Sequence, residues 1–359
     1  MNARQFRKAA TTLSIVACVC IFTNVSVVAQ SSEYLFNDSH FHLTNYIQEG
    51  TDIRDFVKIM GDKAGRVALF GIPVQQQWSY RIDGDRAPSY YLQSDAPLYY
   101  YSFTDAWIAM AYKSLPDSDK ARFDPMITGF NPTDMYAADH IRRVLTTFPG
   151  VFTGIGEFSI HKEFVSAKVS GVTASLDDKA LDRILDFCGE TGLVVVLHND
   201  VDVPFAKEGS SPAYLDQMKT VLRRHPKTTI IWAHMGVGRI VRPVHQQGAL
   251  IETMIKDSAF SHVYYDISWS EVAKYAVASP EATKAFTGLI NRYPDRFLFG
   301  TDEVAPSTQE LYMRVYNQYA PVWQLLSKEA SEKVRKGNYE RIFNEGRRKV
   351  RAWEKSNLK

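Results

Sequence analysis

His40 and His42 stand one residue apart in Asp38-Ser39-His40-Phe41-His42, directly after the extended run Tyr34-Leu35-Phe36-Asn37. In a strand, alternate side chains share a face, so Asp38, His40 and His42 point the same way. Two imidazoles at that spacing grip one divalent ion when a rigid strand aims both at it. Four further residues of the same chemical kind end other apolar runs: Glu157, His198, His234 and Asp302. Each is a hard or borderline metal ligand. A pair of histidines is a weak signal, but six ligands at the ends of five runs are hard to assign to chance.

Something must carry these six to one place. Eight apolar or β-rich runs recur along the chain, usually with a helical pattern between them. They are the run ending at Phe36, then residues 66–71, 125–130, 151–156, 193–197, 228–233, 263–267 and 296–300. Continuous rather than alternating apolar runs suit parallel strands covered on both faces. Helical patterns are clearest after Ser175, Pro212, Gln247 and Pro280, and Ser175-Leu176-Asp177-Asp178 reads as an N-terminal cap. Eight strand-helix units predict a single-domain (β/α)₈ barrel, an α/β fold, whose strands carry functional groups at their carboxyl ends. A doubly wound sheet is the alternative, but no glycine-rich nucleotide turn follows the first strand.

A long aromatic insertion after strand two, roughly Pro73 to Arg122, holds Tyr80, Tyr90, Tyr91, Tyr99, Tyr100, Tyr101 and Trp107. Such a loop serves either as a substrate lid above the barrel mouth or as its own small core or a homo-oligomer contact. The two readings stand level.

The 359 residues are 45% hydrophobic and 23% charged, with a formal net charge of +2. That balance gives no electrostatic reason to expect nucleic acid. Arg4, Arg7 and Lys8 precede an apolar stretch from about Thr12 to Val28, so residues 1–29 read as a signal peptide cut after Ala29. The mature chain, 30–359, is then the barrel with its C-terminal helices, secreted or periplasmic, with no stable membrane span left after cleavage. A lipoprotein site at Cys18 and an uncleaved anchor are the rival readings. Cys188, the one cysteine left in the mature chain, reads as a buried core thiol.

The combination resembles the amidohydrolase superfamily, particularly its amidohydrolase-related branch. The matching positions are His40 and His42, Glu157 in Gly154-Ile155-Gly156-Glu157, His198 in Val196-Leu197-His198, His234 in Ala233-His234-Met235-Gly236, and Asp302 in Gly300-Thr301-Asp302. The segment Gly337-Asn338-Tyr339-Glu340-Arg341-Ile342-Phe343 is similar to that branch's closing helix. The resemblance implies a metal-dependent hydrolase using one or two divalent ions, Zn²⁺ first, with Mn²⁺ or Fe²⁺ as alternatives. It implies that His40, His42 and His198 hold an ion, and that Asp302 orients water and takes its proton. His234 then binds a second ion or polarises the substrate, and Glu157 in the bridging position favours two ions. The expected substrate is a small molecule with an amide or lactone C–N or C–O bond. A metal-dependent decarboxylase is the rival enzyme reading, and a non-catalytic ligand-binding barrel the rival outside enzymes.

Arg239, His161 and Tyr265 are candidates for substrate contact, and Asp266 for supporting a ligand histidine. Lys162 is set aside as a carboxylated lysine because Glu157 holds the expected position. His140 and His225 read as solvated.

Overall fold

The computed structural model describes residues 34–45, 49–72, 77–78, 92–93, 103–162, 174–207, 209–244 and 246–358. The predicted signal segment and Tyr80, Tyr90, Tyr91, Tyr99, Tyr100 and Tyr101 of the insertion lie outside them. Nine short strands form one all-parallel sheet. They are β1 (Phe36–His42), β2 (Ala64–Phe70), β3 (Phe123–Ile127), β4 (Gly154–Ser159), β5 (Val194–His198), β6 (Ile230–Trp232), β7 (Val263–Asp266), β8 (Phe297–Leu298) and β9 (Glu303–Val304). Their spatial order is β8-β7-β6-β5-β4-β3-β2-β1-β9.

The first and last members of that order belong to one stretch of chain. Phe297 and Leu298 pair with Tyr265 and Asp266, and five residues on Glu303 and Val304 pair with Phe41 and His42. Between them Ser39 N donates to Phe299 O at 3.1 Å and Asp302 N donates to His40 O at 2.7 Å. The eighth strand therefore splits, half on β7 and half on β1, and this closes the ring. The fold is the TIM-barrel type that the eight apolar runs predict.

Alternation sorts the side chains. Ala68, Phe70, Met126, Val194, Val196, Ile231 and Leu298 cluster in the barrel interior. Trp232, Tyr265 and Phe297 belong to the larger layer between sheet and helices. The C-terminal helix Asn338–Asn357 buries Tyr339, Ile342, Phe343, Gly346, Val350 and Trp353, the stripe expected of a helix packed along one face. Its first turns supply Tyr339, Ile342 and Phe343 to the interior cluster. The Tyr339 hydroxyl donates to Asp124 near the start of β3, and Asn338 Nδ2 donates to Phe297 O at the start of β8. The helix thus plugs the amino-terminal end of the barrel and leaves the carboxyl end for chemistry.

Three local expectations shift. β4 begins at Gly154 rather than Val151, which puts Glu157 inside the strand. The helix after Ser175 starts at Lys179; Ser175 and Asp178 instead bond each other's backbone turn, Ser175 N to Asp178 Oδ2 at 3.0 Å. His225 is not solvated: it is 5% exposed and lies between Asp182 and Asp186 at 2.8 and 3.0 Å. Cys188 is buried, as its helical context implies, and burial pushes its thiol well above the ordinary range.

Candidate active site

At the carboxyl ends of the strands, six side chains converge. His40 and His42 close β1, Glu157 projects from β4, His198 closes β5, and His234 and Asp302 follow β6 and β8. Five are buried and the Asp302 side chain is only 11% exposed. Two glycines make room. At Gly156 a Cβ would stand 2.2 Å from Val196 O, and φ is +111°, so glycine lets β4 approach β5 beside Glu157. At Gly300 a Cβ would stand 2.7 Å from His40 Cβ, so its absence admits the β8 chain against β1. His234 and Asp302 both hold left-handed backbones, φ 54° and 52°. Such conformations in non-glycine residues gather where function demands a particular aim.

Glu157 stands between two pairs of histidines. Its Oε1 lies 2.5 Å from His198 Nδ1 and 3.6 Å from His234 Nε2. Its Oε2 lies 3.5 Å from His42 Nε2 and 3.8 Å from His40 Nε2. Asp302 faces the same centre, with Oδ1 3.1 Å from His42 Nε2 and 3.2 Å from His40 Nε2, and Oδ2 3.9 Å from His234 Nε2. The groups His40–His42–Asp302, His40–His234–Asp266 and Glu157–His198–His234 each bring three ligand atoms within 4.8 Å of one another, so His198 groups with Glu157 and His234 rather than with His40 and His42 as the resemblance implies.

The far ring nitrogens explain the aim. Asp266 Oδ2 lies 2.7 Å from His40 Nδ1 and accepts its proton, which leaves Nε2 bare toward the centre. Ser268 Oγ lies 2.9 Å from His234 Nδ1, with the same result for that ring. The buried Nε2 atoms of His40 and His234 make no hydrogen bond. Two buried ring nitrogens without hydrogen-bond partners, aimed into a space shared with two carboxylates, fit a divalent cation, whose binding would displace any proton they carry. Phe70 packs edge-on under His40 and His42, at 5.1 and 4.9 Å between ring centroids, as an apolar floor.

The charges are tightly held. Burial opposes a charge on His40, but Asp302 and Asp266 outweigh it and hold its pKa well above the ordinary value. Burial also works against Glu157 and Asp302. Lys162 and His198 nevertheless keep Glu157 well below the usual carboxylate range, and His40, His42 and His234 do the same for Asp302. His42 goes the other way, lowered chiefly by burial. Both central carboxylates are therefore ionised at neutral pH.

The secondary candidates fare differently. Tyr265 does not face the mouth: Asp266 points inward, so its neighbour points out, against Trp232 and Phe297. Arg239 lies in the loop after β6 with its Nε 3.5 Å from Glu271 Oε1, and does not join the cluster. His161 sits on the rim, stacked on Tyr214 at 3.7 Å, and burial lowers its pKa to about 4. Asp38 does not turn toward the ligands. Irregular pairing of β1 with β2 lets its carboxylate accept from Thr301 N, Thr301 Oγ1 and the Tyr312 hydroxyl, beside Asp302.

Sequence reasoning missed Ser268 and Trp269. Trp269 has φ 79° and its ring lies 5.0 Å from that of His234. The available signal was their position: they follow Asp266, already marked as support, at the end of a barrel strand. Lys162, discounted on one ground, has its Nζ 3.4 Å from Glu157 Oε1.

A (β/α)₈ barrel with histidines and carboxylates converging at its carboxyl mouth defines a class, and comparison with known proteins agrees. The amidohydrolase family model matches residues 38–344, and the chain belongs to that family. No curated protein matches. Among solved structures, a putative 2-pyrone-4,6-dicarboxylic acid hydrolase from Pseudomonas putida is similar, with 15% identity, a TM-score of 0.52, and coverage of 87% of this chain and 98% of that one. Dihydroorotase from Campylobacter jejuni has 13% identity and a TM-score of 0.51 over 86% of this chain and 84% of that one. A 2,6-dihydroxybenzoate decarboxylase, complexed with 2,6-dihydroxybenzoate, has 11% identity and a TM-score of 0.52 over 87% and 99%. At these identities the likeness is one of fold.

Proposed function

We propose that this chain is a metal-dependent hydrolase that opens an amide or lactone C–N or C–O bond. The observation that carries the reading is Glu157, one oxygen facing His40 and His42 and the other facing His198 and His234. With two divalent ions bound, His40, His42 and Asp302 would hold one, His198 and His234 would hold the other, and Glu157 would be within reach of both. When bound, such ions acidify water toward neutral pKa and polarise a carbonyl.

The chain's own residues do the rest. Asp266 and Ser268 fix the tautomers of His40 and His234. Asp302, ionised and at the edge of the cluster, takes the proton of the attacking water and returns it to the leaving nitrogen or oxygen. Phe70 and Trp269 keep bulk water from two sides, which strengthens each charge interaction between them. The basic-then-apolar first 29 residues support export to the periplasm or the medium. Among the described residues no helix is long and apolar enough to cross a membrane.

The test is a panel of amides, lactones, phosphoesters and carboxylic acids, run on purified protein with added Zn²⁺ or Mn²⁺. Hydrolysis of an amide or lactone, abolished in a folded His40→Ala variant, is the expected result. Release of carbon dioxide from the acids, with amides and lactones untouched, would overturn it.

A further inference from the structure

The chain that follows β5 makes a closed excursion. It leaves at Val201 and returns at Tyr214, whose N donates to Val201 O at 3.1 Å. Val201 N donates to Gly236 O at 2.7 Å, which ties this loop to the one that follows β6. Val201 stands three residues past His198, and Gly236 two residues past His234. The two loops therefore part directly beside the ligand cluster, and farther out Phe205 N meets Ile240 O at 3.4 Å. Between them lies a cleft of about 490 Å³, a volume in the range of small-molecule sites.

Two kinds of side chain line it. Phe205, Ile240 and Val241 are apolar, and Phe205 is 56% exposed on a left-handed backbone, φ 56°. A large ring displayed from an unfavoured conformation offers a ligand an apolar face. Lys207 and Arg242, both exposed, bring positive charge, one from each loop. The carboxylate among the described lining residues is Asp202. Its Oδ1 accepts from Val203 N at 2.8 Å and Ala213 N at 3.0 Å, so it braces the neck of the loop. Two cations against one carboxylate leave a single formal positive charge. That balance matches a carboxylate ligand better than a phosphate, which carries nearly two negative charges.

We infer that this cleft holds the distal part of the substrate, an apolar chain that ends in a carboxylate. The chain lies against Phe205, Ile240 and Val241, and the carboxylate meets Lys207 and Arg242. Neither cation touches the reacting atoms, and both determine specificity. The inference rests on reading the ligand cluster as the reacting centre, and it deepens that reading by naming the substrate class.

Suberate and its monoamide differ at one end alone, carboxylate against carboxamide. Their binding, measured by calorimetry on the metal-loaded full chain with metal content determined alongside, tests the cleft. The wild type should prefer suberate by at least about fivefold, about 1 kcal/mol, the scale of an exposed ion pair and more than the roughly twofold advantage of two equal ends. That preference should fall to about twofold or less in the double variant Lys207→Met, Arg242→Met, with metal content unchanged, and persist in Lys207→Arg. A wild type that binds the two compounds alike, or binds neither, overturns the cleft. So does a preference that survives the double substitution, or one lost only together with the metal, which would place its source at the ligand cluster. These are equilibrium measurements, so an inactive substrate panel would defeat the hydrolase reading and leave the cleft standing.

Discussion

At the scale of single residues, the site works by subtraction. Two of the ligand histidines, His40 and His234, have the far nitrogen occupied, and in each the Nε2 that points inward makes no hydrogen bond. Asp266 does this for His40 at 2.7 Å and Ser268 does it for His234 at 2.9 Å. Partners of this kind typically account for about 10- to 100-fold in metal affinity. Asp266→Ala should therefore weaken metal binding by that factor, measured by competition with a chromophoric chelator at fixed pH. Unchanged affinity would mean that His40 is aimed by packing alone. The ligand types and their strand-end positions were legible in the sequence because metal chemistry restricts them to few residue kinds. Ser268 and Trp269 were not, since serine and tryptophan carry no such restriction and only the turn after β7 brings them inward. Tyr265 was misread where the rule of alternation already decided against it: with Asp266 facing in, its neighbour faces out.

At the scale of elements, strand ends and the turns after them set the geometry, and here the sequence was less explicit. Eight apolar runs predicted eight strands, but nothing in residues 296–304 announces that the chain leaves β7 and joins β1 midway. That switch depends on Asp38 accepting from Thr301, a contact across 263 positions. The β4 boundary slipped for a related reason: Val151 and Phe152 are buried without pairing, so hydrophobicity overran the ladder.

The helix Phe103–Lys113 is tied to the mouth by one buried carboxylate. Asp105 accepts from Thr128 N and Gly129 N at 2.8 and 2.9 Å, just past β3. Burial outweighs those bonds and lifts its pKa to about 7. The folded state then holds a proton between about pH 4 and 7 that the unfolded state has released. Stability accordingly falls as pH rises through that window, with a limiting slope of about 1.4 kcal/mol per pH unit. Asp105→Asn should flatten that part of the profile, read from urea midpoints at successive pH values. An identical slope in the variant would remove Asp105 as its source.

At the scale of the molecule, the two ends of the barrel do different work. The carboxyl end holds the ligands, and the amino end is sealed by the C-terminal helix around a second buried carboxylate. Asp124 is fully buried and takes Arg66 Nη2 at 2.6 Å, Arg347 Nη2 at 2.7 Å and the Tyr339 hydroxyl at 2.8 Å. Removing one member of such a buried network leaves uncompensated charge and costs roughly 3–5 kcal/mol. Asp124→Ala should lose stability on that scale in denaturant unfolding while leaving the ligand cluster's metal content unchanged. A loss below about 1 kcal/mol would show that the plug is held by Ile342 and Phe343 instead.

The account as a whole turns on Glu157 lying between two ion sites. Metal analysis of the purified full chain, beside its Glu157→Ala variant, tests that most directly. Two divalent ions per chain in the wild type, falling to one or none in the variant, is the result predicted. One tight equivalent that Glu157→Ala does not disturb, or no stoichiometric metal at all, would contradict it.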